Sequence, residues 1–221
     1  MSSYFGFIPS AQLQSDIDAT RQKAAAGGQE PLYPYRDKVV RGINEELIEN
    51  ALVQLVNFLP PSDKKDTMLK LSNFVKNTVG SLINQLMDKA PNEQVIKSIE
   101  FLDHSTNTDP DGIKRIGAPM PDSLVAQIKA SFAAVQAGEG KAQRAALAEQ
   151  FKMFSDLVIK HYMEDFNKTL ELGMFKRKGA DLAKSGVRKA VHIGIDKLLP
   201  SLSSEELKVF AAHYDKMLYS V

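Results

Sequence analysis

The sequence predicts an all-α protein of seven to eight helices, packed as one bundle or as two abutting bundles, with no significant strand. Three observations carry that expectation. Apolar residues recur at steps of three and four, as in Met68, Leu71, Val75, Val79, Leu82 and Leu86, which lays one buried stripe along a helix. Stops and caps fall between these stripes, at Pro60-Pro61, Pro91, Pro200 and the capping box Ser203-Ser-Glu-Glu206. Valine and isoleucine follow the same steps and never alternate as they would on a half-buried strand.

Taken in order, the first helical stretch runs from Asp37 to Leu59 and ends at the paired prolines. Ser62 or Asp63 then caps a helix reaching Asp88. Asn92 to His104 forms the next. The stretch from Asn107 to Asp122 holds three prolines and two glycines and reads as a loop. It divides an N-terminal part, 1–106, from a C-terminal part, 123–221, unless the two form one continuous domain. Ser123 to Ala137 is helical and is broken by Gly138-Glu-Gly140. The stripe Leu147, Phe151, Phe154, Val158, Tyr162, Phe166, Leu170 predicts one helix of about 35 residues. Asp181 to Leu199 and Ser203 to Leu218 supply the last two.

Composition removes whole classes of function. The 221 residues include no cysteine, so disulfide scaffolds, thiolate metal sites and cysteine nucleophiles are excluded. Lys plus Arg is 28 against 27 for Asp plus Glu, a balance with no overall signature for nucleic acid or membrane. The N-terminus has neither the basic start nor the apolar run of a secretory signal, and no run of about 18 apolar residues occurs. The expected location is cytoplasmic.

No catalytic, cofactor or metal motif is complete. Glu100–His104, His161–Asp165 and His192–Asp196 are pairs at i,i+4, but no acid lies three positions before any histidine, as a di-iron bundle requires. Asn107, Asp109 and Asp111 with Gly112 resemble the start of a calcium loop, yet the twelfth position is Ala118 instead of glutamate. An ordinary turn explains the same residues. An enzyme is therefore the least supported class.

Two readings remain. The first is a non-enzymatic interaction or regulatory protein that docks a protein partner or its own copy as a homodimer. Its candidate contacts are Tyr4, Phe5, Phe7, Tyr33 and Tyr35, large apolar groups on two Pro-containing segments with no helical stripe. Those side chains either fold back over the bundle or bury themselves on a partner. The alternative is a bundle that holds a small apolar or haem-like ligand in its core, with His161 as the polar contact and Tyr162 beside it. A third feature is the basic cluster Lys176, Arg177, Lys178, Arg188 and Lys189. It suits the phosphates of nucleic acid or anionic lipid, or else is the solvated face of a buried helix. In that last case Lys176 to Lys178 close the preceding long helix against its dipole.

Overall fold

The computed structural model describes residues 2–87 and 89–221. In chain order the elements are β1 (Ser3–Phe7), α1 (Ala11–Ala25), α2 (Tyr33–Ile48), α3 (Gln54–Phe58), α4 (Asp63–Leu86), α5 (Asn92–His104), β2 (Thr106–Thr108), β3 (Lys114–Met120), α6 (Asp122–Ala134), α7 (Gly140–Ile159), α8 (Met174–Ser201), α9 (Ser204–Asp215) and β4 (Leu218–Ser220). Three π-helical segments interrupt the helices, at Glu49–Val53, Val135–Glu139 and Lys160–Asp165, and a 3₁₀ turn follows at Phe166–Leu170. The chain is predominantly helical, as its periodicity predicts.

The local signals hold where they are strongest. Ser62 Oγ accepts from the Lys65 N–H at 3.3 Å and starts α4. At α9 the capping box closes in both directions: Ser203 Oγ takes the Glu206 N–H and the Glu206 carboxylate takes the Ser203 N–H at 2.6 Å.

The expectation of no significant strand is roughly right but not exact, because four short strands form one small antiparallel sheet in the order β2-β3-β1-β4. The stretch read as a loop is a β2–β3 hairpin, and the N-terminal aromatic segment is its neighbour, with Phe5 opposite Ala118 and Ser3 opposite Met120. Glycine and proline there mark close strand contact, not a flexible linker. Gly6 faces Gly117 across the pair, and a Cβ on Gly6 would lie 2.1 Å from the Ile116 carbonyl oxygen. β4 brings the C-terminus alongside β1, so Ser2 and Val221 exchange both backbone hydrogen bonds at 3.0 Å.

Two further expectations change. Tyr33 and Tyr35 are not in an irregular stretch. They open α2, where Pro34 falls in the first turn and its missing N–H costs no hydrogen bond. The predicted 35-residue helix becomes α7, a π segment and a 3₁₀ turn that ends on Glu171 at φ 49°. The stripe itself carried the hint. From Phe154 to Leu170 its steps are all four, which drifts around an α-helix but suits the wider π turn. One apolar core joins both halves of the chain, from Phe5 and Val39 to Leu147, Phe210 and Leu218.

Candidate functional site: an apolar cavity and a buried phenol

The helices do not fill their shared interior. A cavity of about 140 Å³ lies between α2, α4, α7, α8 and α9, and its walls are almost wholly apolar. Leu71 and Val75 line it from α4, Phe154 and Val158 from α7, and Val191 and Ile195 from α8. Gly194 of α8 is what lets α4 come so close, since a Cβ there would stand 2.1 Å from Leu71 Cδ2.

Two of the π segments border this space. Ala51 and Leu52 of Glu49–Val53 face it from one side, Tyr162 and Met163 of Lys160–Asp165 from another. A π turn adds a residue and breaks the i→i−4 ladder, which opens its carbonyls to donors from outside the helix. α9 supplies them at the first segment: His213 Nε2–H donates to the Asn50 carbonyl at 2.8 Å and the Tyr214 hydroxyl to that of Ala51 at 2.7 Å. A carbonyl can only accept, so His213 carries its proton on Nε2. Burial lowers the His213 pKa, only partly offset by that bond, and keeps the ring neutral.

Four residues with polar side chains line the cavity, and the Tyr214 hydroxyl is already spent on the Ala51 carbonyl. Asn44 Nδ2 is satisfied by the Val40 carbonyl at 2.8 Å and Ser155 Oγ by that of Lys152 at 2.9 Å. Tyr162 is different: its ring is buried and its hydroxyl has no hydrogen-bond partner. Burial pushes the phenol pKa far up, so the group stays protonated and able to donate. The Tyr219 hydroxyl and Asn107 Nδ2 are buried as well, and Asn107 draws the Tyr219 pKa down against the larger upward push of burial.

His161, the predicted polar contact, is not in the cavity wall. Its Nε2 lies 2.9 Å from Ser105 Oγ, at the end of α5, and its ring packs on Phe101 with centroids 4.7 Å apart. Ser105 Oγ gives its own proton to the Phe101 carbonyl, so His161 Nε2–H is the donor of the pair. Burial pulls the His161 pKa down to about 4, against a smaller upward pull from Asp165. That carboxylate is taken by Lys160 and Lys168, both at 2.7 Å. Among the described residues no group of three or more His, Asp or Glu stands ready for a metal ion. Asp109, in the calcium-like turn, accepts from Arg115 Nε at 2.7 Å and from the Ile113 N–H at 2.9 Å, and these bonds hold its pKa down.

The aromatic segments are engaged by their own chain. Phe5 and Phe7 are buried, and Phe5 meets Phe154 edge-on with centroids 4.4 Å apart. Tyr4 stacks on Tyr219. Tyr33 packs beside Leu32, Val95 and Ile99, while the Tyr35 hydroxyl donates to Glu30 at 2.6 Å under Lys23. Of the two alternatives for these residues, folding back over the bundle describes their positions here.

The basic cluster is split by the fold. Lys176, Arg177 and Lys178 lie in the first turns of α8, at its N-terminal end, so they do not close the preceding helix. Arg188 faces α7 and pairs with Asp156, which also meets His192 Nε2 at 2.9 Å. Lys178 and Lys189 face outward. What the sequence reading passed over is the company they keep: Met174, Phe175 and Leu182 are exposed on the same helix. The steps Phe175, Lys178, Leu182 were its available signal.

Comparison with known proteins returned no matching family model, no matching curated protein and no matching solved structure.

Proposed function

We propose that this protein binds a small, mostly apolar molecule carrying one hydrogen-bonding group, in the cavity between α4, α7 and α8. The observation that supports it most is an apolar cavity of about 140 Å³ lined in part by Tyr162, whose buried hydroxyl has no hydrogen-bond partner. An engineered apolar cavity of about 150 Å³ stays dry and takes up benzene, so the size is sufficient for a ligand. An unsatisfied buried hydroxyl costs about 1–3 kcal/mol, which a ligand oxygen would recover. Haem is outside this reading, because the cavity is small and no histidine lines it.

The test uses benzene and phenol as matched probes, with binding to the full chain followed by calorimetry and by melting temperature. Both bind, and Val191→Phe abolishes both while the cooperative melt survives. Tyr162→Phe weakens phenol and leaves benzene unchanged. Failure of both probes to bind at millimolar concentration, or binding indifferent to Val191→Phe, overturns the proposal.

A further inference from the structure

The helix α8 is apolar on two sides. Its inner side is spent on the bundle, where Val187, Leu198 and Leu199 are buried. An ordinary surface helix keeps its other face polar. Here the outer face carries Phe175 at 90% exposure, Leu182 at 75%, Met174 at 71% and Ile193 at 43%. At about 100° per residue, Phe175, Lys178, Leu182, Ser185, Lys189 and Ile193 form one row of steps of three and four, some 27 Å long. Phe175, Leu182 and Ile193 are interspersed along it with Lys178, Ser185 and Lys189.

We propose that this outer face of α8 docks on an anionic lipid surface, with Met174, Phe175 and Leu182 entering the acyl boundary and Lys178 and Lys189 meeting lipid phosphates. Charge complementarity selects the occupant. The first turn of α8 has no acidic residue and contains Lys176 and Arg177, with Lys178 next. The nearby acids are turned to other partners, Glu171 to Lys97 at 2.6 Å, Asp181 to Lys184 at 3.5 Å and Asp196 to Lys152 at 2.6 Å. Shape selects it too. The exposed apolar groups, Met174 with Phe175, Leu182 and Ile193, are spaced apart along the row with Lys178 and Lys189 among them, which suits insertion into a fluid interface better than closure against a rigid protein face. No helix among the described residues is long and apolar enough to cross a membrane, so attachment would be peripheral. This inference is independent of the cavity: no residue of the outer row lines it.

The test is co-sedimentation of the full chain with vesicles of phosphatidylcholine and phosphatidylserine, 7:3 in our design, against vesicles of phosphatidylcholine alone. Selective binding to the anionic vesicles is expected. The double variant Phe175→Ser/Leu182→Ser loses it at least tenfold with an unchanged melting temperature, because both side chains are exposed. Lys178→Gln/Lys189→Gln loses about 5-fold per lysine. The proposal is overturned by no binding, by equal binding to both vesicles, or by binding that survives the Phe175/Leu182 variant. Duplex DNA binding that needs only the lysines, or a dimer that the apolar variant dissolves, would assign the face to nucleic acid or to a second copy instead.

Discussion

The Tyr214 hydroxyl donates to the carbonyl of Ala51 at 2.7 Å, across 163 positions of sequence. With His213 on Asn50, it ties α9 to the π turn between α2 and α3. The irregular helix and the last helix thus support each other, and the wall of the cavity depends on both.

Tyr214→Phe takes the outside donor away from the half-buried Ala51 carbonyl. We expect a loss of about 1–3 kcal/mol in urea unfolding, with the helical spectrum intact. A change below experimental error would mean that the π turn needs no outside donor.

Phe5→Ala removes a core aromatic that meets Phe154 edge-on. The expected cost is about 3–5 kcal/mol. A chain starting at Ser10 also loses β1, which holds β3 and β4 together, and should melt far lower without a change in oligomeric state. Light scattering checks the second point. A dimer of the full chain that becomes a stable monomer on truncation would return the aromatic segment to a docking role.

Gly6→Ala sets a methyl against the Ile116 carbonyl at 2.1 Å, inside the sheet. Backbone cannot swing aside as a side chain can, so we expect severe destabilisation, above the usual 1–3 kcal/mol or so for overpacking. Gly80→Ala is the control: no heavy atom from elsewhere lies within 4 Å of the added Cβ, and alanine favours the α4 helix.

His161 and His213 both weaken the fold in acid. His161 has a folded-state pKa of about 4, below its ordinary 6.5, so the fold prefers the neutral ring. Its contribution is complete above pH 6.5 and is lost as the pH falls from 6.5 toward 4, while the unfolded chain takes up the proton first. His213 acts in the same direction. Urea midpoints measured across that window should fall less steeply for His161→Gln than for the parent chain. Parallel curves would show that His161 titrates normally.

The sequence alone determined several of the helices, but not α1, the start of α2 or the break after α7. α4, α5 and α9 follow from apolar steps, Ser62, Pro91 and the Ser203 capping box, because a helix is built from contacts three and four residues apart. The sheet was decided elsewhere. Ser3–Phe7 is a strand only because Lys114–Met120 and Leu218–Ser220 lie beside it, and no local signal reports a partner more than a hundred positions away. The candidate site divides the same way. Tyr162 and the basic cluster were legible as residues, but a cavity exists only where five helices fail to meet. Which hydroxyl lacks a partner, and which face of α8 is left without cover, were likewise settled by packing.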